Sequence, residues 1–343
     1  MTPFDLLLVG YGNVARRFEA LLAEQRPSPA RIVGIATRRH GCRLNGREVA
    51  ASNTLAFLRD ALARNARAAK QRRLVVVETT TLDIGRGEPA TSHIRAALAG
   101  GAHVITANKG PVAFAYRTLA RAAQRADRRF LFEGTVMDGV PIFNLVRETL
   151  PAVRITGFRG VVNSTTNFIL TAMEQGQRFD DALAEMQARG IAEADPSLDV
   201  DGWDAAAKTA ALANVLLGAS ITPQDVDRRG IGPATGARAR EARAAGRRLK
   251  LVARAERDGR TITARVSPEE LRGDDLLSGL DGPQNALILK TDLLEEIAVV
   301  QRSGSLTQTA YALLSDLISI ERGLSSASAT RRAPRSARRR RTP

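Results

Sequence analysis

A single cysteine, Cys42, stands in 343 residues. That excludes an intramolecular disulfide and a cysteine-rich metal centre, and it fits a reducing, cytoplasmic setting. Histidine is nearly as scarce. His40, His93 and His103 are scattered without metal-ligand spacing and read as surface or packing residues. Aromatic residues make up 4% of the chain, too few for a surface that stacks on bases. No apolar run is long enough to span a membrane. The chain opens on an apolar strand that contains Asp5, not on a basic signal sequence. Negative charge is in short supply, and the formal net charge is +15. That surplus raises nucleic acid as a partner, but seven arginines between Arg331 and Arg341 supply close to half of it. With so few aromatics, nucleic acid is not the expected partner.

What is present has a clear grammar. Residues 6–9 form a short apolar strand, followed at once by Gly10-Tyr11-Gly12-Asn13-Val14-Ala15 and a helix over 16–24. Residues 31–36 read as a second strand. Strand, glycine-rich turn, helix, strand is the context in which such a turn binds a dinucleotide. Gly10 permits the tight turn. Gly12 lets backbone approach a pyrophosphate at the helix N-terminus, beside Asn13 and Val14. Ala15 is small enough for helix–strand packing. The other reading is a glycine turn between packed elements. After the second strand comes Thr37-Arg38-Arg39, with no acid for ribose hydroxyls. Arg38 suits a 2′-phosphate, which favours NADP over NAD. Helices over 55–69, 92–99 and 116–125 alternate with strands over 74–81, 101–107 and 129–132. The alternation predicts an α/β, Rossmann-type doubly wound parallel sheet. Thr80, at a strand end, is then a cofactor contact.

Near Glu133 the grammar changes. Residues 133–141 are loop-like and 142–150 helical. A strand follows over 155–162, then the amide and hydroxyl run Asn163-Ser164-Thr165-Thr166-Asn167 and a helix over 168–174. Further helices are predicted over 180–189, 204–217, 241–248 and 306–320. Paired strands are predicted over 249–255 with 261–266, and over 286–290 with 296–300. The boundaries this suggests are 1–133 for a dinucleotide-binding domain, 134–322 for an α+β substrate-binding, catalytic and dimerisation domain, and 323–343 for a disordered basic tail.

Residues 193–208 read Glu-Ala-Asp-Pro-Ser-Leu-Asp-Val-Asp-Gly-Trp-Asp-Ala-Ala-Ala-Lys. Pro196 holds the first part out of helix. Asp204 and Lys208 lie one turn apart on a helix face. Alone, the stretch also reads as a solvated acidic loop, capped by Asp199 or Asp201, with an ordinary surface ion pair.

These stretches, with Ala107-Asn108-Lys109-Gly110-Pro111, occur in the order and spacing of the homoserine dehydrogenases, and the chain resembles that family over residues 4–320. The resemblance implies nicotinamide-dependent interconversion of L-aspartate 4-semialdehyde and L-homoserine, on the route to threonine and methionine. It implies that Glu193 and Asp199 bind the substrate, that Lys208 is the proton donor or acceptor with Asp204 beside it, and that Lys109 lies at the nicotinamide. It also implies a homodimer, with strands after residue 286 as candidates for its interface. Residues 133–140 resemble the family's monovalent-cation loop, a sodium site at Glu133, Val136, Asp138 and Val140 built largely from carbonyl oxygens. Met137, Asp138, Ser164, Ser303 and Ser305 depart from small or glycine residues usual in the family. The resemblance is to a short form without a C-terminal regulatory domain, so little feedback by threonine is expected. Two alternatives remain: another two-domain Rossmann oxidoreductase, or a basic nucleic-acid-binding protein on a relic fold. A phosphorylating aldehyde dehydrogenase needs a cysteine at the domain junction, and Cys42 lies just after the second strand.

Overall fold

The computed structural model describes residues 3–26, 28–39, 41–67, 73–188 and 195–331, with the backbone alone over 66–67 and 324–331. The first sheet opens with β1 (Phe4–Val9), every residue of which is buried. A strand apolar on both faces belongs at the centre of a covered parallel sheet. Helix α1 (Asn13–Glu24) leads to β2 (Ala30–Thr37). A hairpin, β3 (Gly41–Leu44) and β4 (Arg47–Val49), then precedes α2 (Thr54–Arg67). The chain continues through β5 (Leu74–Glu78), α3 (Ala90–Ala99), β6 (His103–Thr106), α4 (Lys109–Arg125) and β7 (Phe130–Leu131). The strand order is β4-β3-β2-β1-β5-β6-β7. Strands β2, β1, β5, β6 and β7 are parallel, as the alternation predicts. Because β1 lies between β2 and β5, the crossovers diverge there, and a crevice opens at the carboxyl ends of β1 and β5.

The antiparallel β3–β4 edge was not expected from the alternation. Its turn is Asn45-Gly46, with φ of 51° and 77°. Two positive φ values in a two-residue loop match the right-handed twist of a hairpin, and Asn-Gly is the pair that adopts them most readily.

The second sheet runs β13-β12-β8-β10-β11-β9. Its strands are β8 (Ile155–Val161), β9 (Asp227–Arg228), β10 (Arg247–Asp258), β11 (Thr261–Arg272), β12 (Asn285–Thr291) and β13 (Glu296–Gln301). Around them pack α5 (Ser164–Glu174), α6 (Phe179–Ala188), the short α7 (Ser197–Val200), α8 (Trp203–Leu216) and α9 (Thr235–Ala244). One predicted helix differs. In place of 241–248, α9 ends at Ala244 and β10 begins at Arg247, because Gly246 takes φ 71° and twelve rungs pair β10 with β11. Cross-strand pairing outweighs the helix preference of alanine and arginine there. The helix predicted over 142–150 is present over 143–149, with its turns widened over Leu145–Thr149.

Helix α10 (Leu306–Arg331) returns to the first sheet. Ala310, Leu313, Leu314, Leu317 and Ile320 share a core with Phe4, Leu6, Leu8, Val75 and Val77. The helix also runs past Gly323, where the composition suggested that order ends. Alanine-containing sequence propagates a helix already nucleated by a packed stretch. Residues 332–343 of the expected tail lie outside the described residues.

Candidate active site

The cofactor side begins where β1 ends. Gly10 has φ 90°, and a Cβ there would stand 2.7 Å from the main chain of Thr79. Only glycine fits both the conformation and the approach. Gly12 is the N-cap of α1, with no side chain capping the helix and no acid in its first turn. A Cβ on Gly12 would meet nothing within 4 Å. The space beside Gly12 is therefore open at the positive end of the helix, where first-turn amides such as those of Asn13 and Val14 can seat an anion. The Gly10 amide donates to the Ala36 carbonyl at 2.9 Å, which holds the end of β2 beside this turn. Arg38 and Arg39 follow, both exposed. Across the crevice, Glu78 is fully buried, and Thr80 donates its hydroxyl to the Glu78 carboxylate. These features fit a dinucleotide: backbone amides for the pyrophosphate and a cation for a ribose phosphate.

The substrate side starts from Asn108, which caps α4 by accepting from the Gly110 amide at 2.9 Å. Its Nδ2 donates to the Thr80 carbonyl at 3.0 Å, fixing the turn to the end of β5. Lys109 is the first residue of α4, and its Nζ donates to Asp204 Oδ1 at 2.8 Å. Asp204 lies in the first turn of α8, after Gly202 at φ 80°. Lys208, one turn on, reaches Asp204 Oδ2 at 2.9 Å and the Val162 carbonyl at 2.7 Å. Asn163 leaves β8 as the N-cap of α5, accepting from the Thr166 amide at 2.8 Å. Its Nδ2 then donates to Asp199 Oδ1 at 2.7 Å and to Asp204 Oδ2 at 2.9 Å. Two ammonium groups, two carboxylates and one amide thus converge from the two sheets.

Their charges set one another. Burial pushes the Asp204 carboxyl up, but Lys109 and Lys208 outweigh it and hold the group well below the usual carboxylate range. Burial pushes Lys208 down, yet Asp204, helped by Asp138 and Asp199, leaves it above the usual lysine value. Asp199 goes the other way. Burial and the charge of Asp204 raise its carboxyl, against the opposing pull of Asn163, Lys208 and Thr165.

Four of the expected site residues meet here. Asp199, Asp204, Lys208 and Lys109 come together, while Glu193 lies outside the described residues. Pro196 does not keep the chain out of helix. It is the N-cap of the turn Ser197–Val200, since proline suits a helix start even though it breaks an interior. Gly202, not Asp199 or Asp201, caps α8. Asp195 takes a capping role, accepting from the Ser197 amide at 3.1 Å. Asn108 and Asn163 had not been singled out as site residues. Each sits between a strand and a helix, where an N-cap is expected, and that signal was readable.

In the 133–140 loop the carboxylates are committed to protein donors. Glu133 accepts from the amides of Ile142, Phe143 and Asn144 at 2.6, 2.9 and 2.6 Å. Asp138 accepts from Gln301 and Thr309. Val136 is buried, and the Val140 amide donates to the Met137 carbonyl at 3.0 Å. Among the described residues, no three His, Cys, Asp or Glu side chains are grouped to hold a metal ion. Cys42 is buried on β3, opposite Val49 at the outer hairpin, so it offers no nucleophile at the domain junction. No described helix is long and apolar enough to cross a membrane.

The family model for homoserine dehydrogenase matches residues 141–318, and that for the homoserine dehydrogenase NAD-binding domain matches 10–133. The NAD(+)-dependent homoserine dehydrogenase of Pseudomonas canavaninivorans is 37% identical, over 93% of this chain and 97% of its own. The homoserine dehydrogenase of Sulfurisphaera tokodaii is 37% identical, over 92% of this chain and 98% of its own. The crystal structure of a homoserine dehydrogenase from Thiobacillus denitrificans superposes with a TM-score of 0.78 at 30% identity, covering 97% of this chain and 76% of that one.

Proposed function

The chain belongs to the homoserine dehydrogenase family, and we propose that its reaction, the nicotinamide-dependent interconversion of L-aspartate 4-semialdehyde and L-homoserine, runs on the Lys109–Asp204–Lys208 bridge. The supporting observation is one carboxylate held by two lysines, one from α4 and one from α8, at 2.8 and 2.9 Å. The nicotinamide, when bound, supplies or accepts the hydride. Gly10, Gly12, Asn13 and Val14 hold the pyrophosphate on backbone amides, and Thr80 borders the crevice beside it. Reduction builds negative charge on the aldehyde oxygen. Lys208 stabilises that charge and gives the oxygen a proton, while Lys109 adds positive charge from the cofactor side. In the reverse direction a neutral Lys208 takes the hydroxyl proton. Asp204 orients both lysines. Asp199, with Glu193, binds the substrate's ammonium, and the Asn163 amide fixes Asp199 for that contact.

Exposed Arg38 and Arg39 at the end of β2, with no acid among residues 37–39, support NADP as the preferred cofactor. A monovalent cation such as sodium would sit on main-chain carbonyl oxygens of residues 133–140, because Glu133 and Asp138 already serve other donors. The edge strand β13 and the exposed Leu293, Leu294 and Val300 support a homodimer. A cytoplasmic setting is in keeping with a single buried thiol.

The test is oxidation of NADPH and of NADH dependent on aspartate semialdehyde. NADPH is expected to give the higher kcat/KM, and Lys208→Ala to lower kcat by roughly 10²–10⁴-fold with cofactor affinity kept. Full activity in that variant would rule the assignment out.

A further inference from the structure

Outside the lysine–carboxylate cluster, a second polar network borders the crevice. Its centre is Asp138, a residue with φ 50° in the left-handed region. Its Oδ2 accepts from Gln301 Nε2 at 2.9 Å, and its Oδ1 accepts from Thr309 Oγ1 at 3.0 Å. Between these partners lies the segment 302–308, made of the link from β13 and the first three residues of α10. It is packed hard against Asp138: a Cβ on Gly304 would stand 2.5 Å from Asp138 Oδ2, and one on Gly139 2.3 Å from the Gln308 carbonyl. Gln308 ties the segment to itself, donating to the Ser303 carbonyl at 3.0 Å and accepting from Gln301 at 3.0 Å.

This segment walls the cofactor crevice. Arg17 of α1 donates to Thr307 Oγ1 at 3.0 Å, which places one end of the wall beside the helix that seats the pyrophosphate. At the other end, Gly134 packs between Ala107, two residues before Lys109, and Ala312 and Thr309 of α10. Gln301 continues the network inward. It accepts from Asn285 Nδ2 at 3.0 Å, and the same Nδ2 donates to Ser164 Oγ at 2.8 Å. Gln301 and Asn285 are 3% and 4% exposed, so the chain is anchored in the protein interior. Ser164 is the neighbour of Asn163, which holds Asp199 and Asp204. A buried, mutually bonded chain of this kind fixes one geometry, since each broken link strands a polar group away from water.

We propose that Asp138 is a positioning residue whose carboxylate latches segment 302–308 as a fixed wall over the cofactor crevice, anchored through Gln301 and Asn285 to Ser164. The inference rests on the homoserine dehydrogenase reading. It gives the carboxylate a role other than cation binding. A latched wall lowers the ordering cost of cofactor binding, because the segment is already in place.

Three variants of the full-length chain separate the latch from the backbone. Asp138→Gly keeps the left-handed conformation without strain and removes the carboxylate. Asp138→Asn keeps one oxygen for Thr309. Thr309→Val removes one donor at nearly constant shape. Dissociation constants for NADPH and NADH are measured by fluorescence without turnover, alongside hydrogen exchange over 302–308, Tm and steady-state kinetics. Asp138→Gly is expected to weaken cofactor binding about tenfold, with Thr309→Val and Asp138→Asn between it and the wild type. Exchange over 302–308 rises in the same order, while KM for homoserine at saturating cofactor stays within about twofold in Thr309→Val. Cofactor binding and exchange unchanged in Asp138→Gly overturn the proposal, and so does a drop in Tm with unchanged binding. If the wild type proves inactive on homoserine, the family reading of the reaction fails, and the binding and exchange measurements still decide the latch.

Discussion

Asp204 is the residue on which the proposed chemistry turns. Its half-buried carboxylate is shared by two ammonium groups, and its charge, with those of Asp138 and Asp199, outweighs the cost of burying Lys208. Lys208 therefore keeps its proton at neutral pH, which suits aldehyde reduction. Homoserine oxidation needs the neutral amine, so its rate should rise with pH through the alkaline range. Removing the negative charge removes the main factor that raises Lys208. In Asp204→Asn the alkaline limb of the oxidation profile should move to lower pH, with kcat down roughly 10–100-fold. A profile of unchanged position, measured as kcat against pH, would contradict the assigned pairing.

Lys250 gives a second residue-scale test, away from the site. It is fully buried on β10, donating to Asn167 Oδ1 at 3.1 Å and to the Leu280 carbonyl. Burial, then the charge of Arg248, lowers its ammonium to about 8. Its folded value lies below the unfolded one, near 10.4. Between these two values the unfolded chain binds more protons than the native one, so stability rises with pH across about 8 to 10.4 and is lost as pH falls through 8. The full effect is on the order of 3 kcal/mol. Urea midpoints at pH 7.5 and 10 should differ more in the wild type than in Lys250→Met. Equal differences would show that Lys250 titrates alike in both states.

At the scale of elements, two glycines of one turn have separable tasks. Gly10 is fixed by the fold: its φ of 90° and the Thr79 main chain leave no place for a side chain. Gly12 is fixed by what the turn must admit, since a side chain there projects into empty crevice. Gly12→Val should therefore fold with a Tm within a few degrees of the wild type and lose most cofactor affinity. Gly10→Val should lose stability as well, by several degrees in Tm. Matched losses of stability in the two variants would erase the distinction. The same turn shows what sequence pattern reveals. Gly10–Ala15 was legible because strand, turn and helix are contiguous, and Asp204 with Lys208 because four residues make one helical turn. The Lys109–Asp204 contact was not legible as geometry, since it spans 95 positions and depends on how α4 packs on α8. The Asn45-Gly46 hairpin had a readable signal that the surrounding alternation obscured. The ends of α9 and the span of β10 depended on a twelve-rung ladder that no local window contains.

At the scale of the whole molecule, the chain closes on itself. Helix α10 follows the second sheet in the chain and returns to pack on α1 and the first core. The 302–308 wall is the link into this helix and its first three residues. One edge stays open: β13 pairs with β12 on one side only, and its outer positions alternate between exposed and half-buried. Val300 is 47% exposed, and Leu293 and Leu294 of the preceding turn are 65% and 49% exposed. A bare apolar strand edge of this kind is a template for another chain, and monomeric proteins protect such edges with charge or cover. A second copy meeting this edge would bury those side chains symmetrically. Sedimentation of the wild type should give twice the chain's mass. Val300→Lys, on the strand face that a partner would cover, should shift the equilibrium toward monomer at micromolar concentration. The lysines of the active site lie on α4 and α8, outside this edge, so the variant's Lys109–Asp204–Lys208 bridge stays intact. A dimer unaffected by Val300→Lys, or a wild type that sediments as a monomer, would place the interface elsewhere or remove it.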